Sequence, residues 1–245
     1  MKIKQFNDDM NYEEAFDKYA NPKTWAREKI TLVCTTNNRD TTLLNKMLNS
    51  AQGFDEEIIH FDEGSILHKN EYKDAGCLDY VGVHLTIPQA YNILIEKFVQ
   101  TEWVCCFCDD DYFYPEGLSK MIAEIHKGID ADVAHFKINV SGYLPKDDIR
   151  GQFLKFLGKK EYELSEKLFI TPKLLLKHGR MPAGSFFRKS AWEKVGGFQG
   201  TKEHDRNLWL RMAEAGCTFK YFDYLVYNYV RRNNSAWIKQ KNEST

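Results

Sequence analysis

The 245-residue chain has no long uninterrupted apolar run. No window approaches the ~18 uncharged apolar residues of a spanning helix, and residues 1–30 hold nothing like the apolar core of a secretory leader. Without an export or insertion signal, the expectation is a cytoplasmic protein with no transmembrane segment. Excess charge of either sign is also missing. The 34 Lys and Arg against 35 Asp and Glu leave a net charge of −1, so any nucleic acid or anionic surface would have to be held by a local patch. Zinc-ligand spacing is absent too, because Cys34, Cys77, Cys105, Cys106, Cys108 and Cys217 are scattered or embedded in apolar runs. Cys105 and Cys108 form a C-x-x-C, but residues three apart on a strand point to opposite faces, which opposes both a disulfide and a shared metal. Reduced core thiols are the expected state.

The sequence does contain an alternation of strands and helices. Residues 1–28 are polar and form an N-terminal arm. The regular pattern then opens with the β-branched run Ile30 to Cys34, the polar turn TTNNRD and a helical repeat of Leu43, Leu44, Met47 and Leu48. A strand at Glu57 to Phe61 ends in DEGS. A helix carrying Ile87, Tyr91, Leu94, Ile95 and Phe98 leads to the strand Trp103 to Cys108 and the acidic triplet Asp109, Asp110 and Asp111. An amphipathic helix follows Pro115, Val133 to Val140 alternates as a half-buried strand, and residues 141–178 lose clear periodicity. Short helices over Ser190 to Val195 and Asn207 to Ala215, the second with Asp205 as N-cap, precede one or two strands over Phe219 to Tyr229. Alternating strands and helices imply a mostly parallel sheet covered on both faces, with ligands beyond the carboxyl ends of the strands. TTNNRD, DEGS and DDD each follow a predicted strand, so all three should converge on one rim.

Three adjacent carboxylates at a strand end repel one another and are costly to desolvate unless a cation arrives. Read from the residues alone, they either hold a cation or form a solvated acidic turn at the start of the next helix.

TLVCTTNNRDTTLLNKMLNS, IIHFDEGS, CFCDDDYFYPEGL, GSFFRKSAWEKVGGF, HDRNLWLRMAEAG and YNYVRRNNS, in this order, resemble the family 2 glycosyltransferases across residues 29–235. That resemblance implies an α/β GT-A (Rossmann-like) fold, a mostly parallel sheet flanked by helices in one domain, with 141–178 as an acceptor-side insertion or lid and 236–245 as a tail. It also implies Mg²⁺ or Mn²⁺ on an Asp-x-Asp motif bridging the donor diphosphate. Asp109 and Asp111 would be the metal ligands, with Asp109 and Asp110 also reaching the donor; a register shifted by one would assign the metal to Asp110 and Asp111 instead. Thr35, Thr36, Arg39, Asp62 and Asn92 match donor-binding positions, Asp62 as the carboxylate that reads the base. Asn37 replaces an aromatic often found there, and Tyr91 an arginine, and both departures touch base recognition. Asp205 matches the general base, while His204, in place of the usual Glu, is expected to face solvent. Arg231 and Arg232 match the arginine segment that meets the diphosphate, and Gly184 and Ser185 line the acceptor side.

The implied activity is metal-dependent, inverting transfer from a nucleoside-diphosphate sugar, UDP-sugar first, to a hydroxyl of a glycan or glycolipid precursor. Phage DNA bearing hydroxymethylated bases is a rival acceptor, because Lys146, Arg150, Lys155, Lys159, Lys160, Lys173, Lys177, Arg180, Arg188 and Lys189 alternate with Phe153, Phe156, Tyr162 and Phe169. Glu161, Glu163 and Glu166 dilute that patch. A nucleotidyltransferase would carry a Gly-rich phosphate loop where TTNNRD stands, and a non-catalytic nucleotide-sugar-binding module would dispense with Asp205 or the triplet.

Overall fold

A computed structural model describes residues 30–36, 41–51, 57–62, 78–79, 85–142, 156, 161–164, 184–200 and 203–232. The N-terminal arm, Arg39, Cys77, most of 141–178 and the C-terminal tail lie outside the described residues.

Strand β1 (Ile30–Thr36) pairs in parallel with β2 (Glu57–Asp62) on one side and β4 (Trp103–Cys108) on the other, and β3 (Leu78–Asp79) extends the sheet beyond β2. Past β4 come antiparallel β8 (Phe186–Arg188), then β6 (Val133–Gly142), then β9 (Phe219–Arg231) parallel to β6, and finally antiparallel β5 (Tyr112–Phe113). β7 (Glu161–Leu164) joins the second half of β6 in antiparallel register. The sheet is therefore mixed but mostly parallel, as expected. β3 and β5, at two residues each, are too short to show alternation in sequence. The two strands considered for Phe219 to Tyr229 are one, with an irregularity where Phe136 faces Phe222 but Lys137 faces Leu225.

Both faces are covered, and strand alternation sorts the core between them. Trp103, Cys105 and Phe107 of β4 pack with Ile30, Leu32 and Cys34 of β1 under helices α1 (Thr41–Ala51) and α3 (Pro115–Lys127). Val104 and Cys106 face the other way, beneath α2 (Ile87–Lys97), α4 (Lys189–Lys194) and α5 (His204–Glu214). Cys105 and Cys106 thus sit in different cores, and none of Cys34, Cys105, Cys106, Cys108 and Cys217 is in a disulfide.

Local chemistry explains the helix limits. α3 starts with Pro115, whose missing N–H costs nothing in a first turn; it buries Leu118, Met121, Ile122 and Ile125, and stops at Gly128 with φ +93°. α2 is fixed at its start by Gln89 Oε1, which accepts from Thr86 N–H at 2.9 Å. Gly117 lets α3 lie directly on β9, since a Cβ there would come within 1.9 Å of the Leu225 carbonyl oxygen. Among the described residues no helix is long and apolar enough to cross a membrane.

The parallel register aligns the strand ends. Thr36 is opposite Asp62, Asp62 is opposite Asp79, and Thr35 is opposite Cys108. The rim inferred from the polar clusters is therefore real at Thr35, Thr36, Asp62 and the residue preceding Asp109.

Candidate active site

At the carboxyl end of β4 the chain leaves the sheet in a turn at Asp109 and Asp110, and Asp111 N–H donates to Cys108 O at 3.3 Å. That turn interrupts strand alternation, so alternate carboxylates do not share a direction. Asp109 is buried and accepts from Thr36 Oγ1 at 2.7 Å, tying the turn to the end of β1. Asp110 pairs with Arg232 at the end of β9. Asp111 is only 1% exposed, and both of its oxygens are held by β9: Val230 N–H donates to Oδ1 and Tyr227 O–H to Oδ2, each at 2.7 Å. Among the described residues, the groups close enough to share one ion are the Cys108 sulfur and the Asp110 and Asp111 carboxylates, with ligand atoms all within 4.8 Å of one another. Of the two registers the motif allows, the turn brings the Asp110 and Asp111 carboxylates near the Cys108 sulfur, while Asp109 is turned to Thr36.

Charge is poorly balanced here. Burial pushes the Asp111 carboxyl well above its ordinary range; the neighbouring Asp110 and Asp109 charges add to the rise, and the Val230 and Tyr227 hydrogen bonds only partly offset it. The Cys108 thiol is raised chiefly by burial, then by the charges of Asp111, Asp110, Asp109 and Asp205. Asp205, remote in sequence, therefore lies within electrostatic reach of Cys108. Two clustered carboxylates supply the hard oxygen donors that Mg²⁺ or Mn²⁺ takes, and a cation would offset the charge that burial leaves costly there, so the residues present fit such an ion.

Asp205 lies in the first turn of α5, not at its cap. The cap is Glu203, a non-glycine residue in the left-handed region at φ 47°, and Asp205 Oδ1 accepts from Arg206 N–H at 2.8 Å. His204, expected in solvent, is half-buried against Tyr91 and Phe198 with ring centroids 6.4 and 5.9 Å away, and burial lowers its pKa. Asn92, expected at the donor, has both ends of its amide committed to the backbone of Phe198, at 2.9 and 2.8 Å. It fixes the Gly197 loop that precedes α5.

Gly184 and Ser185 are buried beside the sheet. A Cβ on Gly184 would lie 3.0 Å from the Tyr227 ring, and its carbonyl accepts from the Cys105 thiol at 3.0 Å. Arg231 ends β9 opposite Gly142. Arg188 and Lys189, counted in the basic patch, are instead used within the fold: Arg188 donates to Ala131 O and Ile129 O and covers the Trp103 ring, and Lys189 donates to Val99 O. The contribution of Tyr227 was not legible in the sequence, where it reads as one more strand aromatic.

No protein-family model and no curated protein matches the sequence. Solved structures do match the fold. The S. aureus TarS fragment 1-349 in complex with UDP-GlcNAc is similar with a TM-score of 0.65 and 14% identity over 85% of this chain and 60% of that one. The same fragment in complex with UDP gives 0.61 and 14% over 84% and 61%, and the longer TarS chain gives 0.63 and 13% over 84% and 37%. The chain thus spans about three fifths of the TarS fragment. At this identity the likeness is one of fold, a mixed α/β domain similar to the GT-A-like glycosyltransferase fold of TarS.

Proposed function

We propose that this chain is a glycosyltransferase that moves a sugar from a nucleoside-diphosphate sugar, UDP-sugar first, to a hydroxyl of a glycan or glycolipid precursor. The observation that carries the reading is the buried Asp111 beside Asp110 on the carboxyl rim of a glycosyltransferase-like sheet, with Asp205 in electrostatic reach of the same point. Asp110 and Asp111 hold Mg²⁺ or Mn²⁺, and Asp109, anchored by Thr36, sets the turn that presents them. When bound, the ion offsets charge on the departing diphosphate. Arg231 and Arg232 face that diphosphate; Arg232 Nε, buried without a partner among the described residues, retains a donor for a phosphate oxygen. Thr35 and Arg39 complete the donor loop, and Asp62 accepts from the base.

Asp205 removes the proton from the acceptor hydroxyl as its oxygen attacks the anomeric carbon from the face opposite the diphosphate, so configuration inverts. Gly184 and Ser185 border the acceptor. Residues 29–235 form the catalytic domain, with 141–178 as an acceptor-side insertion or lid. The test is a thermal-shift screen of nucleoside diphosphates with and without Mn²⁺, followed by product analysis. Metal-dependent stabilisation together with donor hydrolysis supports the reading. Pyrophosphate formed from a sugar phosphate and a nucleoside triphosphate would replace it with nucleotidyl transfer.

A further inference from the structure

We infer that Tyr227 is a positioning residue for the cation site, its phenol setting the orientation of Asp111 from behind. The inference rests on the glycosyltransferase reading above and deepens it. Tyr227 is wholly buried on β9, and a buried hydroxyl without partners would be costly, whereas a phenylalanine would satisfy the packing alone. Its hydroxyl has two partners. Cys108 N–H donates to it at 3.3 Å, so its own proton is available for Asp111 Oδ2 at 2.7 Å. The phenol therefore bridges the last backbone group of β4 to a carboxylate three residues further on, across the turn that carries the acidic cluster.

The ring has little freedom to move that hydroxyl. Phe113 meets it edge-on with centroids 5.2 Å apart, and the Gly184 backbone lies so close to it that a Cβ would come within 3.0 Å of two ring carbons. With Val230 N–H on the other oxygen, the Asp111 carboxylate is held at both ends, leaving only its remaining lone pairs for an ion. Groups that orient a ligating carboxylate in this way typically contribute about 10- to 100-fold to metal affinity. Tyr227 also joins the two sides of the site, since its ring supports the Gly184 segment while its hydroxyl supports Asp111.

The experiment measures Mn²⁺ binding to the full chain in the presence of UDP, from the electron paramagnetic resonance signal of free Mn²⁺. Tyr227→Phe should weaken Mn²⁺ binding about 10-fold or more, with UDP affinity in the absence of metal unchanged. In turnover, the Mn²⁺ concentration for half-activation should rise by a similar factor while kcat at saturating metal changes much less. Tyr224→Phe, which removes a hydroxyl elsewhere on β9, should leave Mn²⁺ affinity as it was. Equal affinity in Tyr227→Phe and the wild type overturns the inference while leaving the glycosyltransferase reading intact. A wild type that binds no Mn²⁺ with UDP removes the metal-dependent reading and this inference with it. Should Tyr227→Phe fail to fold, 3-fluorotyrosine placed at position 227 gives a ¹⁹F resonance that must shift on saturation with Mg²⁺ and UDP, and a resonance that stays put overturns the inference.

Discussion

Replacing Asp111 by Asn tests the charge balance of the site in two opposite directions at once. In the protein without metal, Asp111 is 1% exposed, and burial together with the Asp110 and Asp109 charges outweighs the hydrogen bonds from Val230 and Tyr227, which is why its carboxyl is raised. A carboxyl whose pKa is raised on folding costs stability progressively as pH climbs from the unfolded value, about 3.9, to the raised one, so the neutral isostere should unfold at a higher temperature than the wild type at pH 8. The gain should shrink at pH 5 and vanish only below about pH 4, where the carboxyl of the unfolded chain is protonated as well. The same substitution removes a charged ligand, so stabilisation by Mn²⁺ and UDP should disappear. For the wild type at ligand concentrations near 100 times Kd that stabilisation is about 2.7 kcal/mol, or roughly 5–10 °C for a domain of this size. Differential scanning fluorimetry at pH 5 and pH 8, with and without Mn²⁺ and UDP, reads both effects. An Asn variant that melts below the wild type without metal, or keeps the full ligand shift, would refute the argument.

Asp205→Asn should lower turnover ~10²-fold or more while UDP binding by calorimetry stays within a factor of two or so, and wild-type product should carry the anomeric configuration opposite to the donor's by nuclear magnetic resonance. Gly117→Ala should destabilise the fold by about 2 kcal/mol in urea unfolding, because its Cβ would meet the Leu225 backbone and not a side chain that can move. His135 is buried and its pKa is lowered to about 4 by desolvation, whereas the unfolded chain titrates near 6.5. The unfolded state therefore takes up the proton first, and stability present above pH 6.5 should fall by up to about 3 kcal/mol as pH drops toward 4. His135→Phe should flatten that part of the stability curve measured by urea titration.

Much of the architecture was legible because its signals are local. The strand Trp103 to Cys108 and the helices after Thr41, Ile87 and Pro115 are set by apolar spacing and punctuation, and they fall where the sequence places them. The short strands at Leu78, Tyr112 and Glu161 carry too few residues for a period and acquire their identity only from the neighbours they pair with. His204 and Asn92 show the same limit at single residues, since only packing decides that one is covered by Tyr91 and Phe198 and the other is bonded to the Phe198 backbone ahead of α5.

The sequence by itself determined the order of the longer strands and helices, the parallel part of the sheet and the rim shared by Thr36, Asp62 and the end of the Trp103 strand, because periodicity and strand direction are properties of short segments. Tertiary structure decided which carboxylates face one another. The turn after Cys108 takes Asp109 to Thr36, Asp110 to Arg232 and Asp111 to Tyr227 and Val230. Those partners lie 73 to 122 residues apart in the chain, and a contact at that distance is set by the closing of the sheet, not by any pattern a short window of sequence can hold.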